Sequence, residues 1–592
     1  MSRRRIGALV VAAGLAAGLV AGCGIPDHTD VQVDQAGPRA GSDQQPTIPQ
    51  PAKRTEASTP KEFVRNFLAA AAGEFDPGGP TSQRLQDYVA GDATRNFSLK
   101  DEVTVVRVGE ITVADDNVHV HVAVDQIGIL NSAGVILAPT STATGYDLQI
   151  RAESGSGGGW RVVKAPSEVL LDVEALKSYY TEQTVYFWNT DRTALVPDLR
   201  WLPSEVPLSR VPTELLAMIE GGPSPWLAGV AVGLPKDSKL LINAPIVNGQ
   251  LTMNWSPTAV SNDSGGDYLA RQVAWTVSEL GTQSLQLKIN GQLKGKYDSV
   301  RELIDRTPYP IAPEAHAYAV LDHKIGALGL PAGTPAPVPL TDAVNKDVQW
   351  AAFNRTSGGM DAAVVTVGPE LRLGSGVGGS PVEALTLVPG VKPTAAPVWL
   401  PRSRTGLVPT EKGLYRFGPD HKADPAPIKG LKDVTAVAAA LDGQRIAVIA
   451  NGKLYVVPVS VMQDGELVFG DARLLDPQLE SVTAVAWSGE TAVSVGGKDG
   501  ADRMSIVDVS VDGARRTPRI YDAEGAISMI AAYPEIRVLD RSTTMLYQAQ
   551  NLAWLAAGSS TQIERSMVVG APASPSPGPG GDPQPIAPFF VY

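Results

Sequence analysis

Two histidines have a spacing that could support metal chemistry. His119 and His121 are two residues apart in a run of alternating apolar residues, so their imidazoles would share one face of a strand. Two imidazoles in that arrangement could hold a divalent metal if a third ligand came from elsewhere in the fold. Asp115 and Asp116 are close in sequence but lie in a predicted turn, and no cysteine or glutamate completes the set. We therefore expect a surface or structural role for this pair.

Other motif-like segments also fit structural roles. Residues 374–379 contain the G-x-G-x-x-G pattern of dinucleotide-binding loops, but residues 380–382 begin no helix that could receive the phosphates. Residues 291–297 are one residue short of a P-loop and lack its Ser or Thr. We expect a glycine-rich loop at 374–379 and core positions for Trp226 and Trp255. The sequence has no H-E-x-x-H, G-x-S-x-G or EF-hand motif, although a catalytic carboxylate pair would leave no local signature.

The beginning of the chain is typical of a secretion signal. Arg3, Arg4 and Arg5 are followed by an uncharged apolar stretch over residues 6–22, and the single cysteine, Cys23, comes next. A basic start, a short apolar stretch and small residues before a cleavage point mark a signal peptide. The stretch is shorter than the roughly 20 apolar residues that a membrane-spanning helix needs. Residues 1–22 are therefore predicted to be a signal peptide.

Residues 20–24, Val-Ala-Gly-Cys-Gly, resemble the lipobox of bacterial lipoproteins. That resemblance implies cleavage before Cys23 by signal peptidase II, an S-linked diacylglycerol on its thiol and an N-linked acyl chain on the new amino group. One acyl chain binds a membrane weakly, so stable anchoring depends on the additional chains. The resemblance thus implies a mature chain anchored by Cys23 to the outer face of the plasma membrane.

The composition limits what the rest of the chain can bind. Removing residues 1–22 takes away three arginines and no acidic residue, which changes the net charge from −12 to −15. A chain this acidic is a poor partner for nucleic acid, whose phosphates must be neutralised by lysine and arginine. Cys23 is the only cysteine, so no disulfide forms within the chain, and stability must come from hydrophobic cores.

The first half of the mature chain is predicted to contain a tether and an α+β domain. Residues 23–58 are polar and proline-rich, which indicates a flexible tether. The first domain, residues 59–165, opens with a capping box, Thr59-Pro60-Lys61-Glu62, and continues with helical and then strand patterns. Its outline is similar to the NTF2-like or cystatin-like cone.

The second predicted domain, residues 166–305, is also α+β. A strand with alternating apolar residues over 251–255 is followed by a helix over 267–280, which Gly281 ends, and then by a strand over 285–289. This order resembles the GerMN domain of sporulation and germination proteins.

Repetition is the main signal of the last unit, residues 313–592. Residues 434–438, Val-Thr-Ala-Val-Ala, recur at 482–486, and residues 527–531 carry the related run Ile-Ser-Met-Ile-Ala. Short strands with a period of roughly 40–50 residues are typical of propeller blades, and the length predicts about six blades. The chain is therefore predicted to be multidomain and β-rich, with two α+β domains followed by an all-β propeller.

Turns and the chain end complete the propeller prediction. Residues 536–540 are predicted as a strand that follows the run at 527–531. The apolar residues 589–592 are predicted to return to the first blade near 317–321 and close the ring, which removes exposed sheet edges. Four Asp-Gly turns are expected to join blade strands: Asp442-Gly443, Asp464-Gly465, Asp499-Gly500 and Asp512-Gly513.

Over essentially its full length the chain resembles the LpqB family of actinobacterial lipoproteins. The segments that carry the resemblance are residues 20–24, residues 59–68, the run Leu-Val-Pro-Asp-Leu-Arg-Trp-Leu-Pro at 195–203 and the run Glu-Gly-Gly-Pro-Ser-Pro-Trp-Leu at 220–227. The resemblance implies a lipoprotein that acts with the MtrAB two-component system. Its implied partner is the extracytoplasmic domain of the sensor histidine kinase MtrB, with effects on cell-wall homeostasis and division. The resemblance assigns no catalytic residue, cofactor or metal.

The predicted function is thus a non-enzymatic, lipid-anchored accessory protein that binds and modulates a sensor kinase. Two alternatives remain open: a lipoprotein that binds cell-wall glycan or peptidoglycan without a signalling role, and a hydrolase of a wall polymer. The absence of an evident catalytic constellation favours binding over hydrolysis. The residues themselves barely separate the two binding roles.

Overall fold

The computed structural model describes residues 49–75, 78–91, 101–140, 143–153, 159–263, 265–307, 315–330, 335–539, 542–557, 559–571 and 582–591. These residues belong to one compact unit. The predicted signal peptide, Cys23 and residues 24–48 of the predicted tether lie outside the described residues. Within the part that is described, no helix is both long and apolar enough to cross a membrane.

The first domain packs helices against a mixed sheet. Its elements are α1 (Pro60–Ala69), α2 (Pro80–Tyr88), β1 (Glu102–Val113), β2 (His119–Asn131), β3 (Ile136–Leu137), β4 (Gly145–Ala152), β5 (Trp160–Lys164) and β6 (Leu170–Asp172). The strand order is β5-β4-β2-β1-β6, with β3 beside β2. Half of the predicted capping box begins α1: the Glu62 N–H donates to Thr59 Oγ1 over 3.2 Å. The Glu62 carboxylate accepts instead from the N–H of Ser58, one residue before the N-cap, over 2.7 Å.

Residues 49–58 pack on this domain, although the sequence places them in the flexible tether. Arg54 is buried and lies 3.6 Å from carboxylate oxygens of Asp87 and Glu153. The Tyr88 hydroxyl donates a hydrogen bond to the Ala52 carbonyl over 2.6 Å. The polar sequence of residues 49–58 does not predict this packing, because the residues that they contact come from distant parts of the domain.

The first core also extends past the predicted boundary at residue 165. Strand β6 pairs in parallel with β1, and the short helix α3 (Val173–Tyr179) follows it directly. Leu171, Val173 and Leu176 are buried in the same core as α1. The chain therefore completes the first sheet before it enters the second domain.

The second domain combines a short antiparallel sheet with a mixed sheet and helices. Its elements are β7 (Tyr180–Asn189), β8 (Leu195–Pro203), α4 (Val211–Gly221), β9 (Ala231–Val232), β10 (Ile246–Val247), β11 (Gln250–Trp255), α5 (Asp267–Val277), β12 (Ser284–Ile289), β13 (Gln292–Tyr297) and α6 (Val300–Arg306). The sheet orders are β8-β7-β9 and β10-β11-β12-β13. Strands β11 and β12 are parallel, which requires a crossover, and α5 provides it.

Six small sheets follow in the described part of the chain, as predicted for a propeller of about six blades. Blade 1 contains β14 (His316–Leu321), β15 (Lys324–Ala327) and β37 (Ile586–Val591). Blade 2 contains β16 (Val348–Thr356), β17 (Gly359–Thr366), β18 (Leu371–Val377) and β19 (Thr386–Leu387). Blade 3 contains β20 (Val398–Trp399), β21 (Gly406–Thr410), β22 (Gly413–Phe417) and β23 (Ala423–Pro425).

The remaining blades are built in the same way. Blade 4 contains β24 (Val434–Ala439), β25 (Arg445–Ala450), β26 (Lys453–Val461), β27 (Leu467–Phe469) and β28 (Arg473–Leu475). Blade 5 contains β29 (Ser481–Trp487), β30 (Ala492–Lys498), β31 (Met504–Ser510) and β32 (Arg516–Ile520). Blade 6 contains β33 (Ile527–Tyr533), β34 (Thr544–Ala549), β35 (Leu552–Ala557) and β36 (Ser559–Gln562).

The last strand closes the ring as predicted. Strand β37 pairs antiparallel with β14, with Ala317 opposite Phe590 and Tyr318 opposite Phe589. The repeated runs form the innermost strands β24, β29 and β33. Each run has a shift in strand register at its second residue, which is Thr435, Thr483 or Ser528. The sequence repeat thus corresponds to a β-bulge that recurs in the innermost strands of blades 4, 5 and 6.

The strand predicted over 536–540 is wrong. Ile536 is followed by a 3₁₀ turn, Arg537–Leu539, and the second strand of blade 6 is β34. Ile536 is fully buried, but in the core of the second domain. Its apolar character therefore reflects packing between domains and not a place in the blade.

Candidate functional site at the joint between the propeller and the preceding domains

The predicted histidine pair lies on the exposed side of β2. His119 Nδ1 lies 2.6 Å from Asp116 Oδ2, and His121 Nδ1 lies 2.7 Å from Asp147 Oδ1. Both imidazoles are more than half exposed, at 59% and 55%. Backbone hydrogen bonds from His119 and Val118 lower the pKa of Asp116 to about 2. Among the described residues, no three His, Cys, Asp or Glu side chains are grouped so as to hold a metal.

The two phosphate-like motifs are parts of sheets. Gly374 and Gly376 lie within strand β18, so the predicted loop at 374–379 is partly a strand. A Cβ at Gly374 would lie 2.2 Å from the Ala384 carbonyl oxygen. Any residue other than glycine would therefore clash with the backbone at Ala384. Residues 291–297 form a turn and strand β13. Trp255 is buried, as predicted, and Trp226 is half-buried between two hydrophobic cores.

A buried strand of the second domain lies against the propeller. All residues of β8 are buried except Pro203, and the strand pairs with β7 along its whole length. The Arg200 guanidinium lies 2.7 Å from Asp198 Oδ2, and each side chain is 1% exposed. Asp198 also accepts hydrogen bonds from the Ser224 N–H and hydroxyl, at 2.8 and 2.6 Å. Its buried charge is therefore compensated by a cation and two further donors.

The propeller meets β7 and β8 through directional polar contacts. Trp201 Nε1 donates to Asp512 Oδ2 over 2.6 Å, and the Tyr186 hydroxyl donates to Glu490 Oε2 over 2.8 Å. Arg445 Nη1 donates to the Pro197 carbonyl over 3.3 Å. We call this region the joint: strands β7 and β8 on one side, and the propeller turns around Asp442, Glu490 and Asp512 on the other.

The propeller side of the joint has its own buried ion pair. Arg445 Nε lies 2.7 Å from Asp442 Oδ2, and both side chains are buried. The guanidinium stacks over the Trp487 ring, 4.8 Å from its centroid. This stacking and the ion pair orient Arg445 toward strand β8.

The first domain also contacts the propeller. Arg473 donates to the carbonyls of Ile136 and Asp512, both over 2.9 Å. Burial lowers the pKa of the Arg473 guanidinium. At the edge of the joint, Arg515 Nε lies 2.6 Å from Glu182 Oε1, and burial still raises the pKa of that carboxyl, because the opposing effect of Arg515 is smaller. Both preceding domains are thus fixed to one face of the propeller.

Sequence reasoning missed the joint. Asp442-Gly443 and Asp512-Gly513 were predicted as turns, and their glycines do have positive φ. Nothing local shows that both carboxylates point into a buried interface. The available signal was the run at 195–203, where Asp198 and Arg200 interrupt an otherwise apolar strand. These carboxylates are already paired or hydrogen-bonded, so the joint is suited to fixing the domains.

Comparisons with known protein families agree with this architecture. A model of the LpqB lipoprotein N-terminal domain matches residues 53–197. A model described as sporulation and spore germination matches residues 184–295. A model of the LpqB lipoprotein β-propeller domain matches residues 339–564. Two of the three matches are thus specific to one kind of lipoprotein.

Similarity to individual proteins extends along most of the chain. The lipoprotein LpqB of Mycolicibacterium smegmatis is 25% identical over 566 residues, 89% of this chain and 92% of that protein. The LpqB of Rhodococcus jostii is 24% identical and covers 93% of each chain. The tandem GerMN domains of the sporulation protein GerM from Bacillus subtilis are 20% identical over 20% of this chain and 45% of theirs, with a TM-score of 0.17. The order of the matched domains and the near full-length alignments show that this protein belongs to the LpqB family of lipoproteins.

Proposed function

We propose that this protein is a lipid-anchored accessory protein that binds and modulates the extracytoplasmic domain of a sensor histidine kinase. The kinase would be of the MtrB type, in an MtrAB-type two-component system linked to cell-wall homeostasis and division. The anchor would be the lipid on Cys23, on the outer face of the plasma membrane. The protein would not be an enzyme. Membership of a lipoprotein family supports the anchor, and the resemblance to LpqB supports the partner.

The joint is the observation that carries the binding role. Buried contacts such as Trp201–Asp512 and Arg473–Ile136 hold the propeller and both preceding domains in one geometry. A partner would therefore meet a preformed surface, and little conformational entropy would be lost on binding. This arrangement suits recognition of a folded domain.

Modulation requires that the protein bind one state of the kinase more tightly than another. Binding both states equally would leave the kinase equilibrium unchanged, however tight the complex. A tenfold preference corresponds to about 1.4 kcal/mol, which a few additional contacts can supply. The proposal thus predicts that the kinase output depends on the amount of this protein.

Site-specific photocrosslinking in intact cells tests the partner. A photoreactive amino acid would replace Leu208, Val377 or Tyr521, whose exposed fractions of 85%, 75% and 64% leave room for a partner. Capture of the sensor kinase at one or more of these positions is expected. Cys23→Ala, which removes the lipid site, serves as the control and should reduce capture.

Two results would overturn the proposal. One is capture of wall polymer, or of enzymes that make it, with no kinase at any position. That result would favour the alternative of a wall-binding lipoprotein. The other is unchanged kinase output after deletion of the gene. That result would mean that this protein does not shift the equilibrium between the kinase states.

A further inference from the structure

A large cavity runs through the centre of the propeller. Its volume is about 1000 Å³, and residues from the innermost strands of all six blades line it. These strands are β16, β20, β24, β29, β33 and β37. The volume lies at the upper end of the range typical of small-molecule sites.

Small side chains keep the cavity open. Partly exposed alanines occupy lining positions on blades 2 and 4 and in the segment that leads into blade 3: Ala352, Ala396, Ala436 and Ala439. Larger side chains at these positions would fill the space, as they do in well-packed interiors. The resulting wall is apolar and offers contact area to the body of a ligand.

The charge of the lining is opposite to that of the chain. Arg355, Arg402 and Arg404 are among the described residues that line the cavity, and none of those residues is Asp or Glu. The whole chain, in contrast, has a net charge of −12. An enclosed surface of one sign concentrates ligands of the other sign.

The three arginines differ in their partners. Arg404 is paired with buried Asp361, with contacts of 2.7 and 2.8 Å. Arg402 donates to the Thr193 carbonyl of the second domain over 2.5 Å. Arg355 is exposed to the cavity and, within the described part of the chain, has no ion pair or hydrogen bond from its side chain. Arg355 is therefore the cation that is available to a ligand.

Hydroxyl groups lie toward the other end of the cavity. Thr435, Thr483 and Ser528 are near the beginnings of their innermost strands, whereas Arg355 is near the end of β16. Because innermost strands of successive blades run in the same direction, the hydroxyls and Arg355 are about 15–20 Å apart at ~3.3 Å per residue. The Thr483 hydroxyl donates to the Ile527 carbonyl over 2.6 Å, which leaves its lone pairs to accept.

We propose that the central cavity of the propeller binds an anionic small molecule. Its carboxylate or phosphate group is held by Arg355, and its uncharged body lies along the alanine wall toward the hydroxyls. Guanidinium groups pair with both kinds of anion through charge-assisted hydrogen bonds. The site is independent of the proposed kinase contact, so either proposal can fail alone.

Two dyes of similar shape and opposite charge provide the test. 5-Carboxyfluorescein is anionic and rhodamine 123, the methyl ester of rhodamine 110, is cationic, and the two share a xanthene ring system. Binding of each to the full lipidated chain in neutral-detergent micelles would be followed by fluorescence anisotropy, with empty micelles as the blank. The anionic dye is expected to bind and the cationic dye is not.

Three variants locate the site. Arg355→Gln is expected to weaken binding of the anionic dye about tenfold, the value of one charged hydrogen bond. Lys412→Gln makes the same charge change in an exposed turn of blade 3 outside the cavity and should have no effect. Ala436→Phe should weaken binding without any change in charge, because the larger side chain occupies the cavity. A circular dichroism spectrum like that of the wild type confirms that each variant is folded.

Competition identifies the anionic group. Displacement of the dye by inorganic phosphate alone would assign a phosphate ligand, and displacement by succinate alone would assign a carboxylate ligand. Any of three results would overturn the proposal: no binding of the anionic dye, equal binding of the cationic dye, or equal effects of Arg355→Gln and Lys412→Gln.

Discussion

The exposed face of β2 and the joint contain side-chain pairs with similar contact distances in opposite surroundings. His119–Asp116 and His121–Asp147 have contacts of 2.6 and 2.7 Å, with side chains about half exposed or more. Asp198–Arg200 has a contact of 2.7 Å, with both side chains 1% exposed. Water screens the first kind of pair, whereas removal of one partner from the second leaves a buried charge without compensation. Because the contact distances are nearly the same, burial decides which pair has the larger effect on stability when one partner is removed.

The largest expected effect is that of Asp198→Ala. The change leaves the Arg200 guanidinium buried without its carboxylate and removes the acceptor of both Ser224 donors. We expect the joint to lose about 3–5 kcal/mol, the usual cost of breaking a buried pair. Hydrogen exchange of the backbone amides in β8, followed by mass spectrometry, measures this loss as faster exchange.

Two comparisons control this prediction. Asp116→Ala removes an exposed partner and should leave exchange in β8 unchanged. Replacing both joint residues by apolar ones, Asp198→Leu with Arg200→Met, should recover part of the stability, because no charge remains buried. Exchange in β8 that is equal in Asp198→Ala and Asp116→Ala would show that burial does not separate the two regions.

A smaller loss is expected for Trp201→Phe. Phenylalanine keeps most of the apolar contact but removes the Nε1 donor, so Asp512 loses a 2.6 Å hydrogen bond. Loss of a hydrogen bond to a charged group costs about 1.5–3 kcal/mol. Urea unfolding of Trp201→Phe, Asp512→Asn and the double variant measures the coupling between the two side chains. A coupling near zero would mean that this contact does not hold the joint.

Glu182→Gln should change how stability depends on pH. Burial raises the pKa of Glu182 above its usual 4.5, although Arg515 opposes the shift. A carboxyl with a raised folded-state pKa contributes stability below its unfolded pKa and loses it as the pH rises through the folded pKa. The wild type should therefore lose stability relative to Glu182→Gln as the pH rises above 4.5. Urea midpoints of both proteins between pH 4 and 7 test this, and parallel curves would contradict it.

The sequence predicts the repeating parts of this molecule better than the contacts between them. The blade period is local, so the runs at 434–438 and 482–486 could be recognised without a structure. The partners Trp201 and Asp512, in contrast, are separated by 311 residues, and no local pattern links them. The wrong strand prediction at 536–540 also comes from a contact between distant residues. Ile536 is apolar and packs in the core of the second domain, not in the blade. The family resemblance pointed to the run at 195–203, and the structure explains it as the buried strand of the joint.

The smallest expected effect is that of Asp116→Asn on the exposed face of β2. Hydrogen bonds from the Val118 and His119 N–H groups lower the pKa of Asp116 from 3.8 to about 2. A carboxyl with a lowered folded-state pKa contributes stability above its unfolded pKa and loses it as the pH falls through the folded pKa.

Thermal unfolding midpoints of the wild type and Asp116→Asn should therefore differ slightly at pH 6 and converge between pH 3.8 and about 2. Thr112→Ala, an uncharged and exposed position opposite His121 in the sheet, serves as the control and should show no convergence in that range. A difference that persisted at the lowest pH could not come from the Asp116 charge, because that carboxyl would be protonated. The effect would then come from packing or from neutral hydrogen bonds. In that case charge screening would not explain the difference between the exposed pair at Asp116 and the buried pair at Asp198.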